Sequence, residues 1–279
     1  MNGGNRIGLA VGNFDAPSLA EKVKLSVEMG YEAIEVHGRF VADTPTDDLA
    51  EVERLLVEHD LVLTVHTGFA AVHGMSSHSD TIARTAEILD WDQRTGRLAC
   101  ISYDVPWKEI ATGVYRTDPT QIASSFEEVL RISTGRGVPV ALEDWPLDEE
   151  SLRAHADWVG KYPHWGILLD LGHMNMMLRE PKHDSQPLEP GAVESHIKGI
   201  PLRILETHIH SNDGSDDQHQ PPWMGNADFP AAIRALDEIE FDGIHTVEIL
   251  PGPDGLAQEE VPDASRKSLG YWRDLLNRT

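Results

Sequence analysis

Short apolar runs rich in β-branched residues recur along the chain, and polar or Gly/Pro punctuation followed by apolar residues at helical spacing fills most of the intervals. Eight such runs stand at 7–11, 33–36, 62–65, 99–103, 138–142, 166–169, 204–209 and 244–249. The helical stretches between them carry end signals. Ser18 with Glu21 forms a capping box ahead of the Leu19, Val23, Val27 stripe, and Gly30 stands where a C-terminal glycine belongs. Leu49, Val52, Leu55 and Leu56 make the next apolar face, and Ile82, Ala86 and Leu89 the one after it. Asp118 with Pro119 opens a helix carrying Ile122, Phe126, Val129 and Leu130 inward. Asp148 precedes Leu152, Ala156 and Val159; Asp228 precedes Phe229, Ile233 and Leu236; the last helix carries Leu269, Trp272 and Leu276.

Eight strands alternating with helices in 279 residues is the arithmetic of a closed parallel (β/α)8 barrel of the TIM type, which takes about 250 residues. An open doubly wound sheet is the rival. It lacks its phosphate fingerprint, because Gly8 and Gly12 have the wrong spacing and no third partner. A single α/β domain over 1–279 is therefore expected, with residues 1–5 flexible and the active site at the C-terminal strand ends. The longest irregular stretches, 179–190 and 211–227, follow late strands, where such a barrel keeps its lids.

Charge removes several functional classes. Lys and Arg number 23 against 47 Asp and Glu, a formal net charge of −24 spread along the chain. Such a surface repels phosphate backbones and anionic lipid, so neither nucleic acid nor a membrane is expected as partner. The lone Cys100 sits in an apolar run and reads as a buried core thiol. No secretory signal opens the sequence and no run approaches the roughly 20 apolar residues of a membrane span, so a cytoplasmic setting is expected.

What stands at the strand ends changes the picture from fold to chemistry. The third strand ends in His66, the fifth in Glu143 and Asp144, the sixth in Asp170 with His173, the seventh in His208 and His210, and the eighth in Glu248. Singly, each carboxylate reads as readily as a helix cap or a solvated rim charge, and Asp170 before Gly172 as a turn residue. Together, carboxylates converging on one partly desolvated cavity would repel one another, and a divalent cation removes that cost. Glu143, Asp170, His210 and Glu248 form the best ligand set, suited to Mn²⁺, Mg²⁺, Co²⁺ or Zn²⁺. His59, His155, His164 and His183 fall in helix or loop contexts that suit surface roles.

The segments Leu142-Glu143-Asp144-Trp145, Leu169-Asp170-Leu171-Gly172-His173, His210-Ser211-Asn212-Asp213 and Val247-Glu248-Ile249, in this order, resemble the xylose isomerase-like barrel superfamily. That group holds sugar isomerases and epimerases, inosose dehydratases and endonuclease IV-type nucleases. The resemblance implies a single-metal site at Glu143, Asp170, His210 and Glu248, with the two glutamates on opposite sides of a bound sugar. It implies a substrate contact or a second ion at His173, and relates Asp217-Gln218-His219, followed by Pro221 and Gly225, to the nuclease segment that completes such a second site. His66 matches a further nuclease ligand. One departure stands out: where the nucleases carry a histidine after the fourth strand, this chain reads Ser102-Tyr103-Asp104-Val105-Pro106, with only Asp104 as a stand-in.

The resulting expectation is a metal-dependent isomerase or epimerase of a sugar, polyol or keto acid, working by proton transfer through an enediolate, with Glu143 and Glu248 as acid and base. The alternative is a dehydratase of the inosose or dehydroshikimate type. An endonuclease IV-like AP endonuclease and a non-catalytic sugar-binding barrel stand behind both. Trp107, Trp145 and Trp223 follow strands four, five and seven, where they either pack on a sugar's C–H face or fill the rim. No Arg or Lys lies between Leu205 and Ala232, which favours an unphosphorylated substrate. A homo-oligomer is compatible with all of these.

Overall fold

A computed structural model describes residues 6–13, 15–68, 77–104, 119–143, 161–179, 187–252 and 256–278, with side chains from 124 onward in the fourth of these stretches. Eight parallel strands close into a barrel in sequence order: β1 Arg6–Ala10, β2 Ala33–His37, β3 Val62–Gly68, β4 Leu98–Asp104, β5 Val140–Glu143, β6 Trp165–Asp170, β7 Ile204–Ile209 and β8 Ile244–Val247. Closure is made by β1 on β8, where Leu9 registers with Val247. The (β/α)8 expectation holds, and the strand edges move by one to three residues, the most at β3, which runs on to Gly68. Val11 belongs to a short 3-10 turn, and β8 ends at Val247, so Glu248 stands just past its strand.

Helices form where the caps and stripes call for them. In α1, Leu19–Met29, Ser18 Oγ accepts from the Glu21 N–H, while the Glu21 carboxylate takes Lys24 instead of closing the box. Gly30 ends that helix at φ 93°, a left-handed conformation that glycine adopts without steric cost. After α2 (Phe40–Asp43), helix α3 (Thr46–Glu58) buries Leu49, Val52, Leu55 and Leu56. Helix α4 (His78–Asp92) departs from its sequence reading. Its buried face is Thr81, Thr85, Ile88 and Leu89, with Ala86 exposed. Threonine can face inward there because the Thr85 hydroxyl bonds the Thr81 carbonyl one turn back and the Tyr103 hydroxyl across the interface.

The remaining helices are α5 (Pro119–Thr134), α6 (Leu171–Met177), α7 (Ala192–Gly199), α8 (Phe229–Glu238) and α9 (Val261–Leu276). Asp228 caps α8 by accepting from the Ala231 N–H. The helix expected after Asp148 lies outside the described residues. No described helix is long and apolar enough to cross a membrane.

Strands buried on both faces should read as continuous apolar runs, yet a polar layer crosses this barrel. Glu206 on β7 accepts hydrogen bonds from Thr64 on β3, at 2.9 Å, from Thr246 on β8, and from the Cys100 thiol on β4 at 3.3 Å. Side chains from four strands meet this way only through the interior, so a carboxyl lies in the barrel's middle. Burial first, and then the nearby charge of Glu35, push the Glu206 carboxyl up to about 7.

Candidate metal centre

Above that layer the strand ends bring the expected residues together. Asp170, the last residue of β6, is fully buried and has two tasks: its Oδ1 accepts from the His173 N–H, capping α6, while the same carboxylate lies 2.9 Å from His210 Nε2. The ring of His210 can come so close because residue 172 is glycine. A Cβ there would sit 2.1 Å from His210 Cε1. Asp170, His210 and Glu248 offer ligand atoms within 4.8 Å of one another, and Glu143, Asp170 and His173 form a second such group sharing Asp170. Glu143 thus joins the site through Asp170 and His173, with His173 Nδ1 at 3.3 Å from its Oε1.

A further group unites His173, His210, Asp217 and His219. His173 Nε2 and His219 Nε2 lie 3.2 and 3.1 Å from Asp217 Oδ2. His219 holds φ 43°, an uncommon left-handed conformation for a histidine, and its ring stacks on His210 at 3.8 Å between centroids. An asparagine network fixes the loop that carries it. Asn175 on α6 donates to Asn212 Oδ1 and Asn226 Oδ1, both at 2.8 Å, Asn212 donates to the Gly172 carbonyl, and Arg179 Nε donates to Asn175 Oδ1. The 211–227 stretch is therefore tied to the β6 end.

His66 reaches the same mouth. Its Nε2 is 3.7 Å from Glu143 Oε2 and its Nδ1 3.0 Å from Ser102 Oγ on β4. Trp223 takes another place, with Lys267 Nζ 3.8 Å above its ring and Tyr271 beside it, both from α9. Trp107, Trp145 and Asp144 lie outside the described residues. His59 and His164 are exposed, in keeping with surface roles.

Two residues in this neighbourhood were not singled out as site residues from the sequence. His208 is fully buried, with Nδ1 2.9 Å from Glu248 Oε2 and Nε2 2.9 Å from Glu35 Oε2. Glu35 lies in the apolar run Ala33-Ile34-Glu35-Val36, and a charge interrupting a buried strand was the available signal.

Electrostatics gives the cluster its character. Burial alone would raise the Asp170 carboxyl, but the charges of His173 and His210, the nearby His208 ring and the hydrogen bond from His210 hold it well below the usual range. Glu248 behaves alike: burial opposes, and the His208 and His219 charges keep it low. His219 is drawn down by burial and up, more strongly, by Glu248 and Asp217, to about 9. Buried carboxylates here are balanced by imidazoles. A divalent ion would supply the same compensation with shorter contacts, and the mixed oxygen and nitrogen donors fit one. His210 Nδ1, buried and without a hydrogen-bond partner, agrees with a ring placed for something other than its protein neighbours.

The chain belongs to the family described as the xylose isomerase-like TIM barrel, whose model matches residues 23–275. Among curated proteins it is 26% identical over 146 residues to an uncharacterised protein of Methanocaldococcus jannaschii; that match spans 50% of this chain and 46% of the relative. Solved structures share the fold over nearly the full length. D-psicose 3-epimerase from Clostridium cellulolyticum has a TM-score of 0.69 at 14% identity, covering 97% of this chain and 99% of that one. The 3-keto-D-glucoside 4-epimerase of E. coli has a TM-score of 0.66 at 20% identity, with 97% and 99% covered. A xylose isomerase domain protein from Alicyclobacillus acidocaldarius has a TM-score of 0.70 at 19% identity, with 98% of each chain covered.

Proposed function

We propose that the protein, as one domain over its whole length, is a metal-dependent epimerase or isomerase of a small sugar, polyol or keto acid. The observation that carries the reading is the convergence of Glu143, Asp170, His210 and Glu248 at four neighbouring strand ends, in two triads that share Asp170. These four residues would hold one divalent ion, Mn²⁺, Mg²⁺, Co²⁺ or Zn²⁺, which would supply Lewis-acid polarisation of a substrate carbonyl and its neighbouring hydroxyl. His173, Asp217 and His219, with His210, are a candidate seat for a second.

Glu143 and Glu248 then divide the proton work. Both approach His208 Nδ1, at 3.9 and 2.9 Å, from different strand ends, and the resemblance to the sugar epimerases implies that they stand on opposite sides of a bound sugar. One removes the carbon-bound proton next to the carbonyl. Return by the other on the opposite face inverts that carbon, and return to the neighbouring carbon, with the hydroxyl proton passing to the former carbonyl oxygen, moves the carbonyl. Each positioned acid or base contributes about 10²- to 10⁴-fold. The epimerases that share the fold lend the reading further support. A small-molecule substrate also suits a net charge of −24, and a reducing cytoplasm suits the buried thiol Cys100.

The test is metal analysis of the purified protein, followed by incubation of the Mn²⁺- or Zn²⁺-loaded form with ketoses, inososes and keto acids in deuterated water. Proton transfer returns an epimer or isomer carrying deuterium, and Glu248→Gln should bind substrate while losing about 10²-fold or more in turnover. A product lighter by one water would establish a dehydratase instead. Full turnover by Glu248→Gln would remove that residue from the chemistry.

A further inference from the structure

His208 is a fully buried histidine with a carboxylate on each ring nitrogen, and neither the ligand set nor the acid–base pair uses it. Nε2 lies 2.9 Å from Glu35 Oε2 on β2, and Nδ1 lies 2.9 Å from Glu248 Oε2, an ion-pair contact and not a linear hydrogen bond. The ring is also packed edge-on against His66, with centroids 5.1 Å apart. We propose that Glu35 and His208 are a positioning pair: Glu35 fastens one corner of the buried ring, and the opposite corner fixes the Glu248 carboxylate where it can grip an ion.

Glu248 needs such a guide. Its backbone is anchored, since its N–H donates to the Ile209 carbonyl at 3.1 Å, but it stands one residue past β8 on a side chain with three free torsions. His208 has none of that freedom. With Nε2 held from β2 and the ring clamped between strands, the direction of Nδ1 is set by the barrel itself. The strut thus runs across the lumen, from β2 through β7 to a residue beyond β8.

Stability gives no reason to keep such a pair. A buried ion pair is commonly replaced by well-packed apolar groups at no loss, because desolvation offsets the attraction. Groups behind a metal ligand have a different role, orienting that ligand, and their removal typically weakens metal binding by about 10- to 100-fold.

This inference rests on the metal reading, and zinc binding can separate the two. Full-length protein stripped with chelator is titrated calorimetrically with Zn²⁺, and the melting temperature of each metal-free variant is recorded. His208→Leu and Glu35→Leu are each expected to weaken Zn²⁺ binding about 10- to 100-fold at unchanged stoichiometry. His208→Asn, whose amide dipole can face the Glu248 carboxylate from the Nδ1 position, should recover part of the loss. The double variant should be no weaker than His208→Leu alone, because Glu35 acts through the ring.

If His208→Leu does not fold, the comparison of Glu35→Leu with Glu35→Gln decides, the latter keeping a polar partner for Nε2 and near-normal binding. Wild-type affinity in His208→Leu or Glu35→Leu, or equal weakening in His208→Asn, overturns the proposal. So does the loss of one whole equivalent of Zn²⁺ on changing Glu35, which would make Glu35 and His208 ligands themselves. A wild-type chain that takes up no Zn²⁺ overturns the metal reading, and the positioning role with it.

Discussion

Changing Glu206 to glutamine isolates the effect of the carboxyl in the middle of the barrel. The group is fully buried, accepts from Thr64, Thr246 and Cys100, and titrates at about 7 against an ordinary value of 4.5. A carboxyl raised in the folded state stabilises the protein fully below the unfolded value. That contribution is lost as pH rises through the folded value. Between pH 5 and pH 9 the loss works out at about 2–3 kcal/mol, from 1.36 kcal/mol per unit. Glutamine is isosteric, can offer its carbonyl to the two threonines and its amide to the Cys100 sulfur, and does not ionise. Urea unfolding at pH 5 and pH 9, with metal content held equal, should show Glu206→Gln gaining about 2–3 kcal/mol on wild type over that interval. A stability difference that does not change with pH would show that Glu206 is not held protonated, and the account of the polar layer would fail.

Two other substitutions probe neighbouring parts of the structure. Gly172→Ala places a methyl 2.1 Å from the His210 ring, so the ring must leave Asp170; a loss of about 1–3 kcal/mol in unfolding is expected together with weakened Zn²⁺ binding in titration, and wild-type affinity would show that the close approach is not needed. His245, buried against Phe241 and Trp272 with Nδ1 3.0 Å from Thr207 Oγ1, is kept neutral by burial down to about pH 3. The stability this gives is present above the ordinary value of 6.5 and lost as pH falls through 3, so His245→Gln should remove about 4 kcal/mol of acid sensitivity between pH 7 and pH 3 in denaturant melts.

How much of this was legible beforehand follows from where each kind of residue sits. The eight strands announced themselves because apolar runs separated by turn residues have few alternatives. The candidate ligands were legible because each carboxylate or imidazole closes such a run. Helix α4 misled because a threonine can point inward when its hydroxyl finds a carbonyl one turn back, a bond that no hydrophobicity count registers. The close approach at Gly172 depends on the His210 ring, 38 positions along and just past β7, so spacing alone did not single it out. Glu35 and Glu206 were passed over because each sits inside a run counted as apolar. In a parallel strand buried on both faces the polar exceptions carry the information.

Along β7 those exceptions obey a rule that links the core to the site. Glu206 and His208 on β7 and His210 just past its end are two residues apart, so they follow one another in file from the barrel's middle to its mouth. Thr246 and Glu248 repeat the spacing at the end of β8, and Thr64 and His66 on β3. The contacts follow the files level by level: Glu206 with Thr64 and Thr246, then His208 with Glu248 and Glu35, then His210 with Asp170. A charged site at the end of an apolar tube would leave its innermost carboxylates facing hydrocarbon. Here Glu206, Glu35 and Asp170 each accept a hydrogen bond, and Glu248 has an imidazole 2.9 Å away. The mouth can therefore concentrate negative charge, as an ion site requires, without leaving an unpaired charge in the barrel beneath it.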